Sequence, residues 1–201
     1  MLRRLPVGCL AMTVAAAAAA GALDAHASVS IQVGWDALLH ESTAAVMATS
    51  TEARSVWEGG RIYTYTHLRV DRSLAGELPA GSDPWVRTMG GVVGKIGQTV
   101  DGEAVLGPGQ SSLLFLHPGP PGAYVVTARG QGQFPLAPDA DPKAPPHLVR
   151  SHAAGALVPR AGPAAQGPVA PAPLAADVVH GRLVDDVARD VAAAWDRTHA
   201  R

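Results

Sequence analysis

Arg61-Ile62-Tyr63-Thr64-Tyr65-Thr66-His67-Leu68-Arg69-Val70 alternates along its whole length: Ile62, Thr64, Thr66, Leu68 and Val70 fall on one face, and Tyr63, Tyr65, His67 and Arg69 on the other. A period of two marks a strand, because successive side chains of a pleated backbone point to opposite sides. The contrast between the faces predicts a half-buried strand, apolar side inward.

Reading outward, residues 44–57 are rich in Val, Thr and Ser, and Glu58-Gly59-Gly60 supplies a turn before Arg61, so the two runs read as a hairpin. Further strands are expected at 85–89, at 97–106 folded about Asp101-Gly102, at 111–117, at 123–129 and at 133–136. Asp-Gly suits a two-residue turn because both positions tolerate positive φ. A short helix is expected to precede the sheet, with Asp36 as its N-cap and residues 37–41 as its body. Many short strands with close turns imply a mainly β chain, either a sandwich or a small closed or partly open barrel. The barrel is favoured because closure removes the edge strands that invite aggregation.

The chain divides into four zones, of which this domain is one. Residues 1–27 read as an export signal: Arg3-Arg4 is a basic start, residues 10–23 are apolar and alanine-rich, and Ala25-His26-Ala27 fits the small-x-small cleavage pattern. A retained anchor needs about 20 strongly apolar residues, and this run is mostly alanine, interrupted by Thr13 and Gly21. Arg3-Arg4 lacks the flanks of a twin-arginine signal, and Cys9 precedes the apolar run rather than closing it as lipidation requires. Residues 28–138 hold eight of the nine aromatics and form the β-barrel domain. Residues 139–173, dense in Pro, Ala and Gly with no aromatic, read as a linker that cannot offset its ordering entropy. In residues 174–201, Val184, Val187, Val191 and Trp195 recur at helical spacing, with Asp185 and Asp186 early and Arg197 late, as the helix dipole favours.

Composition limits the chemistry. Cys9 is the only cysteine, so the exported chain is expected to be disulfide-free and held by burial. The formal charge of −1 gives nucleic acid binding no support. No stable membrane span is expected after cleavage, and the partner expected is a protein or another envelope component, in the periplasm or outside the cell.

Local motifs of catalysis and cofactor binding fail on spacing. Gly90-Gly91-Val92-Val93-Gly94-Lys95-Ile96-Gly97 resembles a phosphate loop, but Gly90 is one residue too close to the Gly-Lys pair and Ile96 stands where Ser or Thr is needed. Its glycines are expected to permit a β-bulge or a tight crossing. His40-Glu41 begins a zinc-protease motif that Ala44 ends, and His147 and His152 are not at helical ligand spacing. No G-x-S-x-G elbow occurs, and Ser111-Ser112 is explained by strand entry. Glu52, Glu58, Glu77 and Glu103 lie in the β zone, and spacing does not say whether any two converge. Catalytic, cofactor and metal residues are therefore not assigned.

The order of short motifs carries a resemblance. Ala44-Ala45-Val46-Met47-Ala48-Thr49-Ser50, Trp57-Glu58-Gly59-Gly60-Arg61-Ile62-Tyr63-Thr64, Leu74-Ala75-Gly76-Glu77, Gly90-Gly91-Val92-Val93-Gly94, Pro108-Gly109 before Leu113-Leu114-Phe115-Leu116, and Gln131-Gly132-Gln133-Phe134 resemble a family of uncharacterised exported bacterial β proteins over residues 31–136. More distantly, the layout is similar to netrin-like domains of the OB-fold type, which include tissue inhibitors of metalloproteases. That resemblance implies an OB-like barrel. The inhibitors act through an N-terminal cysteine and disulfides, which the exported chain lacks, so no residue role carries over.

The functional expectation is an exported non-catalytic recognition module whose contact patch is Tyr63, Tyr65, His67 and Arg69, since Tyr and Arg combine contact area with polar ends. The competing reading of that face is burial under the terminal helix or another strand. Two alternatives stand beside recognition: a secreted hydrolase or protease-inhibitor-like protein, and an envelope structural protein in which the Pro-rich stretch spaces the barrel from a docking helix.

Overall fold

The computed structural model describes residues 29–158 and 173–200, so the expected export signal and residues 159–172 of the Pro-rich stretch lie outside the described residues. In chain order the elements are β1 (Val29–Ile31), α1 (Trp35–His40), β2 (Ala44–Glu58), β3 (Arg61–Gly76), β4 (Trp85–Met89), β5 (Gly91–Val93) and β6 (Ile96–Gln98). There follow β7 (Ser111–Pro118), β8 (Tyr124–Val126), a 3-10 turn (Arg129–Gly132), β9 (Gln133–Ala137) and β10 (His147–Leu148). A second 3-10 turn (His152–Ala154), β11 (Ala156–Val158), α2 (Ala175–Val179), β12 (Arg182–Leu183) and α3 (Val184–His199) complete the chain.

Five strands close a barrel. The β2–β3 hairpin extends antiparallel to β4, β4 meets β8 in parallel at Val86 and Tyr124, β8 runs antiparallel to β7, and β7 returns to β2. Strands β2 and β3, 15 and 16 residues long, bend round this circuit through register shifts at Ala45/Val46, Met47/Ala48 and Ser50/Glu52. Such shifts let a strand turn a corner without losing its ladder. The inward face of β3 supplies Leu68 and Val70 to a core shared with Ala44, Val46, Ala48, Val86, Leu114, Leu116 and Val126.

A second core lies outside the barrel wall. At 44–48 and 112–116 the strands are buried on both faces, which is why their sequence reads as an apolar run rather than an alternation. The outward residues Ala45, Met47, Leu113 and Phe115 meet Trp35, Leu38, Leu39, Val179, Val187 and Val191 from the helices. Trp35 and Phe134 each pack edge-to-face on Phe115, at centroid distances of 5.8 and 6.1 Å. Pairs of this geometry contribute about 0.5–1.5 kcal/mol beyond area burial. The helical spacing read from the sequence places Val187 and Val191 in this core, with Val184 and Trp195 half-buried at its rim.

Several boundaries differ from expectation for local reasons. Helix α1 begins at Trp35 with the extended Gly34 as N-cap, and Asp36 is a first-turn acid bonded by Arg197 at 3.2 Å. Burial of Trp35 against Phe115 draws the helix start forward. The hairpin expected about Asp101-Gly102 is replaced by β5–β6, paired around Gly94-Lys95. Within the stretch read as a linker, Leu148 is fully buried in the strand between β9 and β12, and Ala154 lies against Gly130. A few apolar anchors are enough to dock residues 147–158, although the average composition there is that of a spacer. Among the described residues no helix is long and apolar enough to cross a membrane, and with one cysteine the chain can form no internal disulfide.

Candidate functional site

The helices cover only one end of the β3 outer face. Leu74 and Ala75 pack against the outer core and Arg72 bonds Asp185 of α3 at 2.5 Å, whereas Tyr63, Tyr65 and His67 remain half-exposed and Arg69 exposed. The ladder adds neighbours from both flanking strands: Arg54, Tyr65 and Arg87 form one row, and Glu52, His67 and Trp85 the next.

These side chains hold one another in place. The Arg87 guanidinium carbon sits 3.4 Å from the Tyr63 ring centroid while Arg87 Nη2 donates to Glu58 Oε2 at 2.6 Å. Tyr65 donates its hydroxyl to Glu58 Oε1 at 2.7 Å. The Tyr65 bond first, and then Arg87, hold the Glu58 carboxyl below its usual range; burial first, and then the Glu58 carboxylate, push the Tyr65 phenol up. One row away His67 stacks on Trp85 at 4.6 Å and Arg54 lies 5.1 Å from the same indole. Arg69 turns to Asp71 at 2.8 Å. The result is a sheet face of alternating cations and rings whose rotamers are fixed before any partner arrives.

A second feature opens beside this face, where the sheet divides. The edge of β7 opposite β2 carries β9 along Ser112–Leu114 and β8 along Leu116–Pro118. Between β8 and β9 the chain passes through Ala128 and Arg129, at φ of 53° and 56°. Two successive non-glycine residues in the left-handed region cost about 1–2 kcal/mol each, so the surroundings must enforce the turn. Gly130 N–H is anchored on Gly102 O at 2.9 Å, and a side chain on Gly132 would overlap the Thr127 carbonyl.

That turn aims Arg129 at Glu103, with Nε 4.0 Å from Oε2, across a cleft of about 430 Å³. Glu103 is 7% exposed and takes the Ala104 N–H at 3.2 Å. Burial pushes its carboxyl up, against the opposing pull of the Ala104 N–H and Arg129. Tyr63, Arg87 and His117 also line the cleft, and Met89, Val125 and Val126 give it apolar walls. His117 Nδ1 is 3.1 Å from Thr127 Oγ1, whose oxygen also accepts from Ser42 Oγ at 2.9 Å.

Comparison of the chain with protein-family models, curated proteins and solved structures returned no match.

The four residues of the expected patch thus share one open face, extended by Arg54, Trp85 and Arg87 from strands whose register the sequence does not encode locally. Of the four glutamates, Glu103 alone lines the cleft. The phosphate-loop look-alike is a tight crossing: a side chain on Gly91 would overlap Ser55 Oγ and Thr64 Oγ1, and one on Gly90 would come within 2.7 Å of Gln98 O. Among the described residues no three His, Cys, Asp or Glu side chains are grouped to hold a metal ion.

Proposed function

We propose that this chain is an exported recognition module that binds a protein partner of the cell envelope through the outer face of β2, β3 and β4. The observation that carries the reading is the fixed ladder of Tyr63 with Arg87 and of Arg54 with Trp85 and His67, left open by the helices. Tyr, Trp and Arg dominate the energetics of protein interfaces, and side chains already held in one rotamer lose less entropy on docking. Both signs of charge are present, in Arg54, Arg69 and Arg87 and in Glu52, Glu58 and Asp71, which suits a polar protein surface better than a nucleic acid or an anionic lipid sheet. The leader-like residues 1–27 support export. A closed five-stranded barrel flanked by a terminal helix is the scaffold that presents this face.

Photocrosslinking in the producing cell tests this. A photoreactive residue at position 65 is expected to give one discrete protein adduct, and the same residue at position 95, on the β5–β6 turn, none. The Arg54→Ala/Trp85→Ala variant should lose that adduct while keeping its thermal midpoint. Equal adducts from both positions, or an adduct indifferent to the double variant, rules the outer face out as the contact surface.

A further inference from the structure

The cleft at the division of the sheet has the components of a small-ligand site; it shares Tyr63 and Arg87 with the outer face, but its Glu103, His117 and Arg129 take no part in that reading. Its volume of about 430 Å³ falls within the range of pockets that enclose small organic molecules. Polar groups from separated parts of the chain converge on it: Glu103 from the loop after β6, Arg129 from the turn after β8, and His117 from β7. Arg129 is held there by backbone that a non-glycine residue adopts only under constraint, and strain of this kind concentrates at functional sites. Its side chain is 55% exposed, and its ion-pair partner among the described residues is Glu103 at 4.0 Å. A guanidinium carries five donors, so most of its capacity is unspent.

We propose that this cleft binds a small organic carboxylate with an apolar body, Arg129 pairing with the ligand carboxylate, Glu103 hydrogen-bonding beside it and Met89, Val125 and Val126 enclosing the rest. A carboxylate matches one planar guanidinium fork in bidentate geometry. A compact dianion matches less well: it would meet the Glu103 carboxyl with one available cation, since Arg87 is engaged by Glu58, and would leave the apolar walls unused. The charged and titratable groups around Glu103 are Arg129 from the turn, Arg87 from β4, Tyr63 from β3 and His117 from β7. Burial favours the protonated Glu103, which can donate to a ligand oxygen, and the arriving negative charge favours that proton further. Binding therefore takes up a proton at Glu103 and weakens as pH rises.

The experiment titrates the purified protein with phenylacetate, hexanoate and inorganic phosphate at pH 5 and pH 8, following amide shifts and heat in two buffers of different ionisation enthalpy. Phenylacetate or hexanoate is expected to move the signals of Val125, Val126 and Arg129, to bind about tenfold more weakly at pH 8, and to take up protons. Arg129→Gly suits the left-handed backbone and should keep the thermal midpoint while weakening binding about tenfold or more. Arg129→Asn, which also tolerates that conformation, serves if the glycine variant is loosened. Glu103→Gln should retain binding and lose its pH dependence. The proposal is overturned if neither carboxylate binds, if phosphate alone binds, or if both Arg129 variants bind like the parent. Both Arg129 variants leave Tyr65, Trp85 and Arg54 untouched, so their effect on the position 65 adduct separates this site from the outer face.

Discussion

Gln133 acts as a strand neighbour for Val105: the Val105 N–H donates to Gln133 Oε1 at 3.0 Å, and Gln133 Nε2 donates to the Val105 carbonyl at 2.6 Å. One side-chain amide thereby replaces both backbone bonds of a ladder position, and Ser151 Oγ adds a third bond to the same oxygen at 3.1 Å. This clamp lays the segment with Ala104 and Leu106 into the barrel core and ties residues 147–154 to it. Gln133 is 1% exposed but Val105 is 61% exposed, so Gln133→Leu fills the space and removes both bonds to the Val105 backbone, at a cost of about 1–3 kcal/mol. Urea denaturation measures that loss, and a variant within experimental error of the parent shows the clamp to be replaceable by water.

The β5–β6 hairpin gives a paired comparison of glycines. At Gly91, φ is 130° and an added Cβ overlaps two hydroxyls, whereas at Gly94, φ is 61° with nothing within 4 Å. Gly91→Ala is expected to destabilise by about 2 kcal/mol or more, and Gly94→Ala by about 1 kcal/mol, the cost of the left-handed backbone alone. Thermal or urea midpoints of the two variants decide the order. Equal losses remove the close crossing over Ser55 and Thr64 as the reason for glycine at 91.

What the sequence revealed and what it hid divide along the range of the interactions. The alternation of residues 61–70, the Glu58-Gly59-Gly60 turn and the helical spacing of Val184, Val187 and Val191 are local, and each became the expected element. The hairpin about Asp101-Gly102 failed because the partner of Val105 is the side chain of Gln133, which no strand pattern announces. Leu148, Ser151 and Ala154 were masked by the prolines around them, since composition averages over a window while docking depends on single anchors. The outer face was half legible. Tyr63, Tyr65, His67 and Arg69 follow from the period of one strand, but Arg54, Trp85 and Arg87 join them only through inter-strand register. The cleft was illegible, because Glu103 and Arg129 meet through a strained turn that begins with Ala128, a residue whose type gives no hint of positive φ.

Glu103 makes stability depend on pH in a defined direction. Its carboxyl is raised in the folded protein, so the folded state holds a proton that the unfolded chain releases near pH 4.3, roughly the ordinary glutamate value. The contribution is full below that value and is lost as pH rises through the folded one. Glu103→Gln removes this dependence while keeping the shape. The urea midpoint of the parent minus that of Glu103→Gln should therefore fall as pH rises above roughly 4 and level off once the raised folded-state value is passed. Taking the difference cancels Glu58 and Asp71, whose lowered values act in the opposite sense. A difference that rises with pH means that Arg129, rather than burial, governs this carboxyl.

Tyr65 and Glu58 give the complementary acid-side test. Glu58 is held low, first by the Tyr65 hydroxyl and then by Arg87, so its stabilising contribution is present above the ordinary glutamate value and disappears as pH falls through the lowered one. Tyr65→Phe keeps the ring over the sheet and removes the largest lowering cause. The carboxyl of Glu58, followed by carbon-13 NMR, should then titrate at higher pH than in the parent, because only Arg87 remains at 2.6 Å to favour its charged form. The stability advantage of the parent over Tyr65→Phe should be constant between roughly pH 5 and 9 and shrink as the medium is acidified below about pH 4. An unmoved Glu58 titration would assign the lowering to Arg87 alone, and the outer-face ladder would then be organised around the Tyr63–Arg87–Glu58 stack with Tyr65 as its edge.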